Sequence, residues 1–262
     1  MHPVLVDTAW LRLPTYFTSL MVGFALASFV LRREAVRRGL PPRLLIDLAL
    51  LVVPLALVGS RLAHVVLVDP VTWREDWTRI FWGGGGFVFY GGAAGGLLAV
   101  ALWSWWTRRS PWVYGDCLAP ATAFGLAWGR LGCLGGGCCH GKPADWPLGV
   151  EVPWGVVYTR GAPLDPSLLG VTLHPAPLYA ALFAMALFVG LSRLAARQRY
   201  DGQVMAAFLV VYGLGRIGLE AVRADVVRGL YLGGWVSTSQ LASLLAVLAG
   251  LLLQRGRQPT AG

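Results

Sequence analysis

Charged side chains are scarce in this 262-residue sequence, because only 13% of the residues are Asp, Glu, Lys or Arg while 56% are hydrophobic. A water-soluble domain carries about 25% charged residues, which it needs to cover its surface. The deficit excludes an ordinary soluble protein. It indicates a membrane protein.

Lysine is almost absent, since 21 of the 22 basic residues are arginine, and there are only four cysteines. Four cysteines in a chain of this length do not make a disulfide framework. The net charge of +9 would suggest nucleic acid as a partner of a soluble protein, but most of these arginines lie just outside apolar runs. We interpret that placement as membrane orientation and attraction to anionic lipid, with no nucleic-acid partner.

Seven apolar segments are long enough to cross a bilayer core of about 30 Å. They cover residues 15–31, 44–68, 81–106, 112–134, 174–191, 203–222 and 235–253. No internal repeat or interdomain linker is evident, so we predict one all-α polytopic membrane domain over residues 1–262. The polar stretch 138–173, between the fourth and fifth helices, contains several Gly- and Pro-rich turns and predicts a small irregular domain at one membrane face.

The orientation follows from the basic residues in the loops. If the N-terminus is outside, the loops 32–43, 107–111 and 192–202 and the tail after 253 hold 12 arginines, against 7 basic residues on the other side. Short loops rich in arginine stay in the cytoplasm, so we predict an N-out, C-in protein with residues 138–173 outside. The N-terminus lacks a charged leader and a cleavage site, so the first segment is expected to be a retained helix.

Three arginines fall inside predicted helices: Arg61, Arg130 and Arg216. An arginine at mid-bilayer costs about 2.5–3.5 kcal/mol on insertion scales, which favours a function for each. Glu220 lies four residues after Arg216 on the same helical face. The alternatives are a structural ion pair for Arg216 and Glu220, and side chains that reach the interface for Arg61 and Arg130. A guanidinium donor fork suits a phosphate, and a lipid headgroup is the phosphate most available in a membrane.

The stretch FWGGGGFVFYGGAAGG, residues 81–96, combines Tyr90 with Gly91, Gly92 and a run of four glycines. Glycine allows close backbone approach, so this stretch could form a re-entrant turn facing a headgroup. The alternative is ordinary helix packing, for which membrane helices use glycine freely.

The stretch GRLGCLGGGCCHG, residues 129–141, places Cys133, Cys138, Cys139 and His140 directly after Arg130. Thiolates and imidazole can hold zinc or copper, and neighbouring thiols can also form a redox site or simply pack as small residues. The spacing C-x4-C-C-H is not a familiar zinc pattern, and adjacent cysteines fit poorly around one tetrahedral ion. We therefore expect no metal and no cofactor. A transporter of anionic substrates, or a lipid-binding membrane protein without catalysis, is a further alternative, although no inverted repeat supports a transporter.

Several stretches, in order along nearly the whole chain, resemble the prolipoprotein diacylglyceryl transferase family. They are TYFTSLMVGF, GSRLAHVVL, GGGGFVFYGG, GRLG, HPAPLY, VYGLGRIGLEAVR and WVSTSQLASLL. The resemblance implies a multi-pass enzyme of the bacterial inner membrane. Such an enzyme moves a diacylglyceryl group from phosphatidylglycerol to the lipobox cysteine in the signal peptide of a prolipoprotein.

The resemblance also implies roles for single residues. Arg130 and Arg216 would hold the headgroup phosphate, and the other functional positions of the motif would be Tyr16, Glu220, Gly141 and Tyr212. Catalysis would rest on Arg130, Arg216, Tyr90 and Glu220. The remaining expected contacts with the substrates are Arg61, Gly91, Gly92, Cys133, Cys138, Cys139 and His140.

The chain departs from the better-known family pattern at three positions. Tyr90 stands where a His is expected, Cys133 where an Asn is expected, and Cys138 where an acidic residue is expected. HPAPLY also lacks the Gln and Glu expected after it, and GCCHG with FYGG is similar to a variant pattern in the wider family. A phenol is a poor general base at neutral pH, so formation of the thiolate would need the field of Arg130 and Arg216 or help from His140.

Overall fold

The computed structural model describes residues 4–8, 10, 12–67, 78, 86, 88–145, 152–158, 166–224, 230–231 and 236–256. Within these residues the chain forms seven α-helices. They are α1 (Thr15–Arg37), α2 (Pro42–Leu67), α3 (Phe89–Thr107), α4 (Pro111–Gly136), α5 (Ala176–Ala196), α6 (Gln203–Glu220) and α7 (Thr238–Arg255).

Each helix overlaps one of the seven predicted segments. The largest difference is at α3, which begins at Phe89 because Gly86 and Val88 are not helical, while residues 81–85 lie outside the described residues. Five helices, α1, α2, α5, α6 and α7, are long and apolar enough to cross a membrane. For α3 and α4, membrane crossing stays a prediction.

The outward faces of the helices are apolar. Met21, Phe29 and Leu252 are 73%, 69% and 68% exposed, and many other leucines, valines and phenylalanines are also uncovered. A soluble protein does not expose apolar surface over several long helices. The helical part of the chain is therefore built for lipid.

The chain forms two compact units, and α1 and α4 contribute to both. The unit of residues 31–117 is built on the packing of α2 against α3, where glycines allow the two backbones to meet. A Cβ on Gly95 would lie 2.1 Å from the carbonyl oxygen of Leu55, and one on Gly91 would lie 2.2 Å from that of Gly59. This contact accounts for GGAAGG as a packing element.

The other unit consists of residues 1–30 and 118–262, and its core joins α4, α5 and α6. The buried side chains of this core are Ala119, Ala123, Leu187, Leu191, Ala195, Val204 and Phe208. In the same unit the first half of α1 lies against α4, and the Ser19 hydroxyl donates a hydrogen bond of 3.0 Å to the carbonyl of Trp128. These helices hold the pocket described below.

Among the described residues, three short antiparallel strand pairs lie outside the helices, and none of them was predicted from the sequence. They pair β1 (Val4–Asp7) with β2 (Arg12–Pro14), β3 (Val156–Val157) with β4 (Thr172–Leu173), and β5 (Leu230–Tyr231) with β6 (Val236–Ser237). A short 3-10 helix, Pro166–Leu168, precedes β4. The β3–β4 pair joins the middle of the predicted excursion 138–173 to its C-terminal end.

Candidate functional site

Arg216 is fixed on α6 by two neighbours. One guanidinium nitrogen donates a hydrogen bond of 2.5 Å to Glu220, one turn further along the helix, and another donates one of 3.1 Å to the hydroxyl of Ser239 on α7. The side chains of Arg216 and Glu220 are only 12% and 10% exposed. The pair expected from the i, i+4 spacing is therefore present, and it sets the direction of the guanidinium.

A pocket lies between α4, α5 and the C-terminal half of α6, with about 370 Å³ of empty space when the open space at its mouth is included. Its lining combines three arginines and a tyrosine with an apolar wall: Leu126, Arg130, Ala176, Ala180, Phe183, Ala184, Tyr212, Arg216, Leu219 and Arg223. Concentrated positive charge beside alkyl and aromatic groups suits a ligand with an anionic end and an apolar end.

Two glycines of α6, next to Arg216 in the helix, allow neighbouring helices to approach closely and so shape this pocket. A Cβ on Gly215 would lie 2.0 Å from the ring of Phe183, a pocket residue, and a Cβ on Gly213 would lie 2.8 Å from the carbonyl of Ser243 on α7. Neighbouring helices fill the space that a side chain would take at these two positions. The glycines therefore allow the close packing that positions the pocket wall.

The C-terminal end of α4 brings two cysteines together. Gly137 has φ +76°, the amide of Cys138 donates to the carbonyl of Cys133 (3.1 Å), and the amide of Gly137 donates to that of Leu134 (3.4 Å). This is a Schellman motif, in which the residue after the left-handed glycine returns to the residue five positions earlier. Gly137 therefore carries Cys138 back over Cys133.

Cys139 joins them through an unusual backbone conformation. Its φ is +59°, a region that non-glycine residues rarely adopt. The sulfur atoms of Cys133, Cys138 and Cys139 all lie within 4.8 Å of one another. Cys133 is buried, while Cys138 and Cys139 are half-buried. Adjacent cysteines were expected to fit poorly around one ion, but the left-handed conformation of Cys139 brings both thiols to the same side.

The three thiols differ electrostatically. The pKa of Cys139 is lowered because Cys133 and Cys138 donate hydrogen bonds to its sulfur and because Arg223 and Arg130 lie nearby. The pKa of Cys138 is raised because its proton is engaged in hydrogen bonds with Cys133 and Cys139. Arg223 and Arg130 therefore favour the thiolate form of Cys139.

Gly141 ties the cysteine turn to the rest of the site. Its amide donates to the carbonyl of His174 (3.0 Å), the residue is bridged to Arg223, and the next amide, of Lys142, donates to the carbonyl of Val222 (2.9 Å). A Cβ on Gly141 would lie 2.6 Å from the oxygen of His174 and 2.8 Å from that of Val222, so only glycine fits. Gly141 thus joins the thiol turn, the start of α5 and the end of α6.

The other expected residues of this unit lie around the same region. Tyr16, in the first turn of α1, approaches the end of α4, since a Cβ on Gly136 would lie 3.6 Å from its Cβ. Tyr212 lines the pocket and stacks on Phe208 at a centroid distance of 5.3 Å. His140 contacts the carbonyl of Gly141 through Nδ1 at 3.2 Å. Among the described residues it does not belong to the group formed by the three thiols.

Four expected residues belong to the unit of residues 31–117. Arg61 donates a hydrogen bond of 3.4 Å to the carbonyl of Gly86, and Tyr90 lies in the first turn of α3 with 36% of its surface exposed. Gly91 and Gly92 face α2, where they contact Gly59 and Ala56. Their role in substrate binding stays a prediction.

Two residues, Arg223 and Ser239, contribute to the site although no site role was predicted for them from the sequence. Arg223 was counted as a loop cation, yet it lines the pocket and approaches Cys139. Its sequence signal was only that it follows Arg216 and Glu220 closely in GRIGLEAVR, since α6 ends at Glu220. Ser239 received no role, although its hydroxyl accepts from Arg216. Its signal was the start of α7, where Ser237 and Gln240 form a capping box that fixes the first turn.

Long apolar helices around a pocket lined by three arginines define an α-helical membrane protein with a site for an amphipathic anion. The family model described as prolipoprotein diacylglyceryl transferase matches residues 3–254. The chain belongs to this family.

Three relatives of the chain share the name phosphatidylglycerol–prolipoprotein diacylglyceryl transferase. A phosphatidylglycerol–prolipoprotein diacylglyceryl transferase of Solidesulfovibrio magneticus is 34% identical, over 98% of this chain and 95% of the relative. Proteins with the same name from Clostridium tetani and Vibrio cholerae serotype O1 are 27% and 31% identical, over 97% and 96% of this chain and over 96% and 89% of their own lengths. The similarity therefore extends over whole chains.

Proposed function

We propose that this chain transfers the diacylglyceryl group of phosphatidylglycerol to the thiol of a lipobox cysteine in prolipoproteins. The observation that carries the proposal is the pocket in which Arg130, Arg216 and Arg223 face an apolar wall. The names of full-length relatives support the same reaction.

The pocket suits both ends of the lipid. The guanidinium groups provide forked donors for the phosphate, and the alanines, leucines and Phe183 provide an apolar surface for the start of the acyl chains. Because Glu220 and Ser239 already hold Arg216, its donors are oriented before the lipid arrives. Such preorganisation contributes more to catalysis than charge alone.

The reaction breaks the bond between the diacylglyceryl carbon and its phosphate oxygen. The thiolate of the prolipoprotein attacks that carbon, a thioether forms, and the electron pair of the broken bond stays on the phosphate, which leaves as glycerol phosphate. The charge on the phosphate rises during this step. Arg130 and Arg216 therefore stabilise the transition state more strongly than the bound lipid.

The remaining predicted residues receive supporting roles. Tyr212 contacts the lipid in the pocket, while Tyr16, His140, Gly141 and the three thiols form the side on which the peptide approaches. For Tyr90 the proposal is a hydrogen bond to the phosphate or to the incoming thiol, on the strength of its position in the family pattern. Arg61, Gly91 and Gly92 complete the substrate-binding set.

The proposal includes a location and an orientation. The chain is a single multi-pass domain of the bacterial inner membrane, with seven spans, N-out and C-in, and with residues 138–173 outside. The asymmetry of arginines across the loops supports the orientation. Prolipoproteins would then meet the enzyme at the outer face.

The test uses the purified protein, vesicles of phosphatidylglycerol and a lipobox peptide, with the thioether product measured by mass spectrometry. Arg130→Lys and Arg216→Lys keep the charge but lose the fork, so each should lower transfer by roughly 10²-fold or more. Arg255→Lys, at the end of α7, is the control and should keep the rate. Wild-type transfer in both pocket variants would contradict the proposal, as would failure to restore growth to a bacterium depleted of its own transferase.

A further inference from the structure

We propose that Cys133, Cys138 and Cys139 hold one Zn²⁺ ion, whose fourth coordination position receives the thiol of the incoming prolipoprotein. This inference rests on the proposed function for the identity of the incoming thiol. The zinc site itself does not depend on it.

The geometry of the thiols fits one ion. A tetrahedral site with Zn–S bonds of about 2.3 Å separates its sulfur atoms by roughly 3.8 Å. The three sulfurs already lie within 4.8 Å of one another, so small side-chain rotations bring them onto an ion. The backbone achieves this with two left-handed residues. Gly137 precedes the pair of adjacent cysteines, and Cys139 is the second member of that pair. Packing of small residues does not require either conformation.

The ligand set leaves one position open. Among the described residues no His, Asp or Glu joins the three thiols within the same distance, and Nδ1 of His140 lies against the carbonyl of Gly141. Structural zinc sites have four protein ligands, whereas sites that act on a substrate have three and keep the fourth position free. Cys138 and Cys139 are half-buried, so the group is reachable from one side.

The charges and the donor type favour zinc. Three thiolates and Zn²⁺ together carry one negative charge, and Arg130 and Arg223 lie close enough to Cys139 to offset it. Sulfur donors without a carboxylate disfavour magnesium and calcium, which take oxygen ligands. Zinc also undergoes no redox change, which suits a transfer that consumes no electrons.

The ion would supply what Tyr90 cannot, namely removal of the thiol proton. When the peptide thiol binds zinc, the S–H bond breaks, its proton passes to solvent, and the sulfur stays on the ion as a thiolate. This sulfur then forms the C–S bond while the C–O bond of the lipid breaks and its electron pair leaves with glycerol phosphate. The ion and all three cysteines are unchanged at the end of the cycle.

The first measurement is the metal content of the detergent-purified protein after equilibration with Zn²⁺ and removal of free metal. We expect one zinc per chain in the wild type, a loss of most of it in Cys138→Ser and Cys139→Ser, and full retention in Cys117→Ala. Cys117 is the matched control because it is the remaining cysteine and lies in the other compact unit. Equal zinc in the wild type and both serine variants would overturn the site.

A measurement on the wild type alone guards against variants that fail to fold. Zinc should protect three thiols from alkylation, and a chelator should restore their reactivity. Alkylation that zinc does not slow would overturn the proposal.

The open position is tested with cobalt in place of zinc. A lipobox peptide should increase the thiolate-to-cobalt absorption, and the same peptide with its cysteine changed to serine should not. No increase with the cysteine peptide would overturn the open position. Transfer that proceeds at the full rate in metal-free protein would overturn the inference while leaving the proposed function intact. Peptide binding at the metal without transfer from phosphatidylglycerol would instead count against the proposed function.

Discussion

At the scale of single residues, Glu220 has an unusual position, because an acidic group lies beside a site proposed to bind an anion. It accepts from Arg216 while Ser239 holds the other side of the same guanidinium. The carboxylate therefore weakens the attraction of the pocket for phosphate, but it fixes the direction of the Arg216 donors. Fixed donors act mainly on the transition state, whereas net positive charge acts on the bound lipid as well.

Glu220→Gln separates these two effects. The amide keeps the shape of the side chain but removes its charge, so the pocket becomes more positive and Arg216 less tightly held. We expect the KM for phosphatidylglycerol to stay equal or fall, and kcat to fall by roughly 10-fold. Steady-state kinetics in mixed vesicles measure both. Asp201→Asn, at the turn before α6, is the control, and an increase in KM with unchanged kcat would contradict the assignment.

Single residues were predictable where they conflict with their surroundings. Arg130, Arg216 and Glu220 stand out because charges in apolar runs are costly, and the structure places all three in one unit around one pocket or beside it. Arg223 was assigned no site role because it follows the apolar run and was therefore counted with the loop cations. Its contribution depends on the chain just after α6, where Arg223 is bridged to Gly141.

At the scale of elements, the contact of α2 with α3 depends on glycines that differ in their surroundings although they are adjacent. A Cβ on Gly95 would meet the backbone of Leu55 at 2.1 Å, while one on Gly96 would meet only the side chain of Val52, at 3.9 Å. Backbone cannot rotate away as a side chain does. The two positions therefore provide a matched pair of substitutions.

Gly95→Ala should separate the two helices and destabilise the protein by about 1–3 kcal/mol, the usual cost of overpacking. Gly96→Ala should have little effect or stabilise slightly, because alanine favours the helix. Thermal unfolding in one detergent, compared between the two variants, measures the difference. Equal melting temperatures would show that the α2–α3 contact is not as close as described.

Elements were predictable to the extent that they carry a periodic or apolar signal. The helices follow the apolar segments closely, and α6 ends at Glu220, two residues before its predicted end. Each strand of the pairs β3–β4 and β5–β6 has only two residues, which is too short for an alternation of apolar and polar residues to be recognised. The cysteine turn had a readable signal in the glycines of CLGGGC, since a glycine after a helix predicts a return to the residue four positions before it.

At the scale of the whole molecule, the orientation across the membrane is the prediction with the widest consequences, because it decides from which side the peptide arrives. A reporter that is active only in the cytoplasm should be active when fused after Arg199. The same reporter should be inactive when inserted near Asp145. Activity near Asp145 and inactivity after Arg199 would reverse the orientation.

The membrane class of the molecule was predictable from composition alone, and the apolar outer surfaces of the helices agree with it. The positions of the pocket walls were not predictable, because they depend on which faces of α4, α5 and α6 meet. Gly215 illustrates the difficulty: the sequence marks it as a small residue, but only packing identifies Phe183 as its neighbour.

The hydrogen bonds around Gly141 also bear on how the family can change its length. Ala144 donates to Thr172, and His174 donates to Lys142, both at 2.9 Å, so the chain between residues 144 and 172 leaves and returns at the same place. When both ends are anchored, doubling a loop adds only about 0.6 kcal/mol to the entropy of closing it. Added residues between these anchors are therefore expected to cost little in closure entropy, while Gly141, outside them, keeps its bridge to Arg223.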